Sequence, residues 1–328
     1  MSHHKHLTIF EREKILFFLA KGYSITQIAN KLNRCKSTIS REIRRNSTNN
    51  GYLPSIAQKT YFMRRLKCRP KLKLAEPNLF LLVKAFFLEH QWSPEQIAGR
   101  LILENTCHIS YNTIYRAIYA GMFDEPGLSH GNRGAVRKLR HKGKSRHTKV
   151  YDERRGKIKI SNHLADRPVE AQMRSRIGDW EADTVLGKAG GACLMTITDR
   201  KSRFLIAAKA QRKTADCIAS EMIKSLKGQP LYSITPDRGK EFANHCKVTE
   251  ALGGVQFYFP LPHQPWQRGT NENTNGLLRE YFPKFTDISV LSDEYIQSKI
   301  DELNRRPRKC LGFLTPYEIY FEEMLHLT

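Results

Sequence analysis

Apolar residues recur at helical spacing from Thr8 to Gly22, at Ile9, Phe10, Ile15, Leu16, Phe18 and Leu19, and Gly22 closes the pattern. A second helix is predicted from Ile25 to Leu32, behind Ser24 and Thr26, and a third from Ser37 to Arg45. In the third, Ile39 and Ile43 face inward, whereas Lys36, Ser37, Thr38, Ser40, Arg41, Arg44 and Arg45 face outward. Short helices joined by a short turn, the last one exposing hydroxyls and guanidinium groups, form the helix-turn-helix pattern that enters a DNA major groove. Arg41 or Arg44 can make a two-pronged contact to guanine, and Ser37 and Thr38 can reach phosphate beside Arg45. The blander alternative is a three-helix bundle with a solvated basic face.

Further helices are predicted from Asn78 to His90, after the Ser93-Pro94 start signal, and from Ser110 to Tyr119. This repeats the first arrangement, with Tyr111, Asn112 and Arg116 as candidate DNA contacts, although a purely structural helical subdomain fits the same pattern. From Arg176 the period changes to two: strands are predicted over Ile177–Leu186, Ala192–Thr198 and Arg203–Lys209, joined by tight turns. A helix (Ala215–Lys227), a strand (Leu231–Thr235), a helix (Lys240–Leu252), a strand (Val255–Phe259) and two more helices follow. Hairpin-linked strands followed by alternating helix and strand indicate an α/β layered domain with ligands at the strand ends. The expected organisation is a helix-turn-helix domain (1–58), a basic linker (59–77) and a second helical domain (78–127). A flexible basic linker (128–170) and the α/β domain (171–328) complete it.

Charge divides the chain in the same way. Residues 1–175 hold 34 Lys/Arg against 13 Asp/Glu, a net +21, and residues 176–328 hold 21 against 19, a net +2. A basic half joined to a nearly neutral one suits a protein that grips a polyanion with one part and acts on it with the other. The seven cysteines form no C-x-x-C pair and read as free thiols of a reducing compartment. No apolar run approaches a membrane span, and the Met1 end lacks a secretion signal, so a cytoplasmic, nucleoid-associated protein is expected.

Asp179, Glu181 and Asp183 alternate along the first strand and share one face. Three acids together repel one another unless a cation or a basic group lies near. Asp237 ends a later strand in Thr235-Pro236-Asp237-Arg238-Gly239, where Gly239 is expected to admit a substrate backbone. Glu272 opens a helix, capped by Thr270 or Asn271, whose Asn275, Gly276 and Arg279 share its face. An acid on each of these elements can provide all-oxygen ligation for Mg²⁺ or Mn²⁺, and two such ions can drive an in-line displacement at phosphorus. Taken singly, each carboxylate reads more readily as a salt-bridge partner for the many arginines than as a metal ligand.

The motifs Asp179-Trp180-Glu181-Ala182-Asp183, Thr235-Pro236-Asp237-Arg238-Gly239-Lys240-Glu241 and Pro265-Trp266-Gln267-Arg268-Gly269-Thr270-Asn271-Glu272 through Arg279 resemble those of DDE transposases of the insertion-sequence-thirty family. The ending Asn304-Arg305-Arg306-Pro307-Arg308-Lys309 with Leu311-Gly312-Phe313 and Thr315-Pro316 resembles it too. The resemblance implies an RNase H-like (retroviral-integrase-like) catalytic fold, with Asp183, Asp237 and Glu272 as catalytic acids and ligands of two divalent ions, and Arg279 as a basic companion. It further implies cleavage and joining of double-stranded DNA at terminal inverted repeats and in the target. Strand transfer at two ends implies a homodimer or larger assembly. The chain departs from the family at Asp179 and Ala182, where His and Gly are usual, and has 34 residues between Asp237 and Glu272, one more than expected. Asp179 and Glu181 therefore rival Asp183, and Glu241 rivals Asp237. Arg268, Arg279, Arg238 and Lys240 are candidate phosphate contacts, and Trp266 can stack on a base or pack on the domain. The competing readings are a helix-turn-helix regulator with an inactive RNase H-like domain, and a nuclease that only hydrolyses.

Overall fold

A computed structural model describes residues 5–49, 51–68, 72–125, 134–139, 158, 160–188, 190–261 and 269–327. It divides into two compact units, residues 1–75 and 76–328.

The first unit contains α1 (Ile9–Ala20), α2 (Ile25–Lys31), α3 (Lys36–Asn46), the hairpin β1 (Ser47–Thr48) and β2 (Gly51–Tyr52), and α4 (Pro54–Lys67). Thr8 and Ser24 start α1 and α2 with reciprocal capping boxes to Glu11 and Gln27. Ile15, Ile28, Ala29, Ile39, Tyr52 and Ala57 form the core. Phe10 and Phe17, though in helical register, point outward. Arg12 is buried among Glu42 at 2.7 Å, the Leu7 carbonyl at 2.8 Å and Gln58, while the Tyr52 hydroxyl donates to the same Glu42 carboxylate at 3.2 Å. One buried cation thereby joins α1, α3 and α4 and holds the outer face of α3 in place. Residues 59–67 of the stretch 59–77, expected to be a basic linker, continue α4. Pro54 starts that helix, and Pro54 and Ala57 bury its inner face, which lets residues that read as charged coil continue helically.

The second unit begins with α5 (Pro77–Leu88), α6 (Pro94–Leu103) and α7 (Tyr111–Tyr119). It continues with β3 (Asn162–His163), α8 (Val169–Met173), β4 (Asp179–Leu186), β5 (Cys193–Asp199) and β6 (Leu205–Ala210). Next come α9 (Ala215–Leu226), β7 (Ser233–Thr235), α10 (His245–Ala251), β8 (Gln256–Phe259), α11 (Gly269–Tyr281), α12 (Asp293–Asn304) and α13 (Pro316–Phe321). The sheet order is β3-β8-β7-β4-β5-β6, with β4, β5 and β6 antiparallel and β7, β8 and β3 parallel to β4. Three meandering strands, then two parallel strands added on the far side of the first, make an RNase H-like fold. Trp180, Ala182, Met195 and Ile197 pack on α9 and α10 across one sheet face, and Val185, Leu194, Leu205 and Ala207 pack on α11 and α12 across the other. The alternation of β4 is therefore real: its even positions fill one core, and its odd positions face α11.

Part of the stretch expected to be the flexible linker of 128–170 is structured. Asn162 and His163 add a parallel edge strand to β8, and residues 134–138 form a short 3₁₀ turn with Gly134 and Ala135 buried. Its remaining residues lie mostly outside those described. The helix expected over Lys240–Leu252 is interrupted: a 3₁₀ turn covers Lys240–Phe242 and α10 starts at His245. The helical segment 76–125 shares a unit with the sheet. Gly99 of α6 faces the Phe313 ring so closely that a β-carbon would stand 2.3 Å from it. Buried Arg100 makes paired 2.8 Å bonds to buried Glu318 of α13. No helix among the described residues is long and apolar enough to cross a membrane.

In the first unit, Arg34 in the α2–α3 turn donates to Glu11 at 2.8 Å, and this bond is the main reason the Glu11 carboxyl falls from 4.5 to about 2. A carboxyl lowered in the folded state stabilises fully above its unfolded value and loses that contribution as pH falls. Glu11→Gln should therefore lower the urea midpoint of this unit near neutrality, with the gap to the unsubstituted protein closing between pH 4.5 and about 2. A gap independent of pH across that window would show that the ion pair contributes nothing.

Candidate active site and DNA-reading surface

The three acids of β4 share one face but not one environment. Asp179 is fully buried and accepts from Ser233 Oγ at 2.6 Å and Arg176 Nε at 2.9 Å. Glu181, also fully buried, accepts from Arg200 Nη1, and its other oxygen accepts from the Asn271 amide at 3.2 Å. Both are thus structural counter-charges inside the domain. Asp183 is half-buried: Oδ1 accepts from the Thr184 amide at 2.7 Å and Oδ2 from Asn275 Nδ2 at 3.0 Å.

Asp237 follows β7, which runs parallel to β4 with Thr235 opposite Glu181. Two residues further along each chain stand Asp183 and Asp237, the latter with Oδ1 fixed by the Gly239 amide at 2.8 Å. Adjacent strands lie ~4.8 Å apart, so the two carboxylates rise from neighbouring positions at one sheet end. Glu241 turns to the opposite sheet face, where it is buried and accepts from Lys213 at 2.7 Å and Thr184 Oγ1 at 3.1 Å. Gly239 also answers a local need of the fold. A β-carbon there would stand 2.2 Å from Glu241 Oε2, so the missing side chain makes room for that buried carboxylate. Arg238 is anchored on the Pro260 carbonyl at 2.6 Å, and Lys240 is exposed.

Helix α11 carries the third acid. Its start is not capped by Thr270 or Asn271, which lie inside the helix and are buried. Asn271 instead uses its amide on Glu181 and its Nδ2 on the Ala182 carbonyl at 3.2 Å, and Thr270 Oγ1 accepts from Arg203 at 2.5 Å. Asn275, one turn later, reaches Asp183. Glu272 is exposed and stands between them on the helix, its β-carbon ~5–6 Å from that of Asn275. Arg279 is half-buried; burial pulls its pKa down, and it donates to the Phe282 carbonyl at 3.4 Å. Arg268 and Trp266 lie outside the described residues.

The donor set at this sheet end is all oxygen, as hard divalent cations require. Asn275 Oδ1 is buried beside Asp183 with no hydrogen-bond partner among the described residues. Among those residues no group of three His, Cys, Asp or Glu side chains is already gathered at metal-ligand spacing. The carboxylate and amide oxygens of these residues are the kind of donor such an ion takes.

In the first unit, Ser37, Arg41, Arg44 and Arg45 are exposed and Thr38 is half-buried, all on α3, whose N-terminus carries no side-chain cap. Thr38, Arg41 and Arg45 line a cleft completed by Arg64 and Arg65 of α4. The basic segment expected to act as a linker thus supplies cations to the reading helix. Asn112 and Arg116 are exposed on α7, as is Tyr111.

A reading helix on a bundle of its own and an RNase H-like domain with acids at one sheet end define a class of DNA-processing proteins. The helix-turn-helix domain family matches residues 3–46. The chain is 39% identical to the transposase InsI of insertion sequence element IS30A from Escherichia coli, covering 96% of this chain and 83% of that protein. It is 35% identical to the transposase of IS1086 from Cupriavidus metallidurans, over 97% of this chain and 95% of that one. For the IS4351 transposase of Bacteroides fragilis the figures are 34%, 96% and 95%. The chain belongs to the insertion-sequence-thirty (IS30) family of transposases. A crystal structure of the BIV integrase catalytic core matches at 21% identity with a TM-score of 0.34, over 44% of this chain and 93% of that one, a score too low to add to the topology above.

The sequence reading missed Asn271 as the clasp between α11 and β4. Two asparagines spaced by one turn, facing an acidic strand, were the available signal. Asn271→Ala should cost about 1–3 kcal/mol, because it strands the buried Ala182 carbonyl. A urea midpoint unchanged from the parent protein would show that the clasp is dispensable.

Proposed function

We propose that the protein binds the terminal inverted repeats of its insertion sequence through α3 and cleaves and joins DNA at Asp183, Asp237 and Glu272, with Mg²⁺ or Mn²⁺ as cofactor. The observation that carries this reading is the Asn275–Asp183 hydrogen bond, since it sets the Glu272 face of α11 against the sheet end from which Asp183 and Asp237 rise. Those three carboxylates would hold the ions. When bound, the ions supply Lewis-acid activation of the attacking water or 3′-hydroxyl and charge stabilisation for the leaving oxygen. The protein's own groups orient the reaction. Asn275 fixes one oxygen of Asp183, the Gly239 amide fixes one of Asp237, and Arg279 offers positive charge to the phosphate one helical repeat beyond Glu272. The attacking oxygen forms its bond to phosphorus in line with the breaking bond to the 3′ oxygen, so no covalent protein intermediate is required.

Ser37, Thr38 and the uncapped start of α3 suit a phosphate, whereas Arg41 and Arg44 suit guanine. Asn112 and Arg116 would extend the contact on the second helical segment. Two element ends must be handled together, so we propose a homodimer or larger assembly working in the cytoplasm, at the nucleoid.

In a strand-transfer assay with Mn²⁺ and a precut oligonucleotide from the DNA flanking the encoding locus, the protein should yield joined product. Asp237→Asn should abolish cutting and joining while leaving repeat binding intact; wild-type cutting by this variant overturns the site. Bound but unaltered DNA from the unsubstituted protein would leave only a DNA-binding regulator, and hydrolysis alone a nuclease. Arg41→Ala should weaken specific binding by about 1–3 kcal/mol with little change on random duplex. Equal loss on both would reduce Arg41 to a phosphate contact.

A further inference from the structure

We infer that the side of α11 turned away from Glu272 forms a groove for an unpaired DNA strand, its backbone phosphates seated among Arg174, Arg203 and Arg308 and its bases laid on Tyr115 and Tyr119. The inference rests on the DNA-processing function above and assigns that function a second strand site.

At 100° per residue, Asn273, Thr274 and Leu277 lie across the helix from Glu272, Asn275 and Arg279. Along this far side, Arg174, Arg203 and Arg308 line a concavity completed by Gly269 and Thr270 of the first turn, with no carboxylate among the described residues that line it. Arg308 is buried and donates to the Leu303 carbonyl at 3.0 Å, while Arg174 and Arg203 are close enough for their like charges to repel. Burial first, then the like charges of Arg203 and Arg200, pull Arg174 below the usual arginine range. An anion relieves that repulsion, and a phosphate offers the oxygens a guanidinium fork matches.

Backbone geometry points the same way. Arg174 has φ +58° and Arg203 φ +65°, left-handed conformations in which glycine is favoured over any longer side chain. Arg203 is held toward the hollow by its bond to Thr270 Oγ1.

A second concavity shares Asn273, Arg308 and Cys310 with the first and so continues it along α11 toward α7. There Tyr115 and Tyr119 stand with ring centroids 6.3 Å apart and planes 20° apart, Tyr119 being 66% exposed. Lys138 lies on the same wall, and the two acids present are already paired, Glu280 with Arg306 at 2.7 Å and Glu95 with Lys309 at 3.4 Å. Phosphate-binding arginines at one end and near-parallel phenol rings at the other are the two components of single-strand recognition. Stacking on a ring face is open only to unpaired bases.

The test uses the full chain and a fluorescein-labelled oligothymidylate of about 12 nucleotides, with a blunt duplex of equal length as comparison. Tyr115→Leu with Tyr119→Leu should weaken oligothymidylate binding about tenfold or more, Tyr119→Phe alone should not, and duplex binding should stay within about twofold. Arg174→Gly and Arg203→Gly, which relax the backbone, should melt no lower than the parent yet each flatten the slope of log K against log salt on oligothymidylate by about 0.7. Oligothymidylate binding that survives all these changes, or falls in step with duplex binding, overturns the groove. Asp237→Asn separates the two readings: it should bind oligothymidylate normally. Cutting retained by Asp237→Asn sinks the catalytic site while leaving the groove standing, and unaltered oligothymidylate binding in the tyrosine and arginine variants does the reverse.

Discussion

The second unit turns on the docking of α11 against β4 through two asparagines one helical turn apart. Asn271 spans the interface twice, from its amide to Glu181 and from its side chain to the Ala182 carbonyl, and Asn275 adds the bond to Asp183. A buried amide left without its partner is costly, so these bonds specify one rotation of the helix and one depth of insertion. Leu277 and Leu278 supply the apolar area that holds the helix on the sheet, but area alone tolerates a slide along the strand. The amides exclude that slide. Exposed Glu272 takes its position from these neighbours on either side.

The same interface explains why a strand can carry three acids in five residues. Asp179 and Glu181 are each enclosed by guanidinium groups and hydrogen-bond donors, Arg176 and Ser233 for one, Arg200 and the Asn271 amide for the other. Deep in the domain a carboxylate is tolerated only when so matched. Asp183, nearer the strand end, is half-buried and accepts from Asn275. The three acids thus differ along one strand by depth and by the partners that surround them.

The C-terminal segment has a mainly architectural role. Asn304 pairs both ways with the backbone of Leu205 on the edge strand β6, at 2.8 and 2.9 Å, Arg306 joins Glu280 to Gln96, and Phe313 takes the space that Gly99 leaves open. Together with the Arg100–Glu318 pair, these contacts fasten helices α5 to α7 to the catalytic domain as one body. Their consequence for function is the groove along α11, one wall of which is α7.

The chain order of helices and strands and the helix-turn-helix pattern were legible from periodicity and charge, because each depends on residues close in sequence, whereas the choice of Asp183, Asp237 and Glu272 among the acids came only from the resemblance of their motifs. Periodicity could place Asp179, Glu181 and Asp183 on one face, yet it could not separate them. Their difference is made by Arg176, Ser233, Arg200, Asn271 and Asn275, most of them distant in the chain and brought to the strand by folding. The same holds for Gly239, where the Glu241 side chain leaves no room for a β-carbon, and for residues 59–67, read as a basic linker and found to continue the helix whose Pro54 and Ala57 are buried. Local sequence determined which elements form and which groups they carry; only tertiary structure decided which charges are neutralised and which stay available, because burial and counter-charge are properties of the assembled interior.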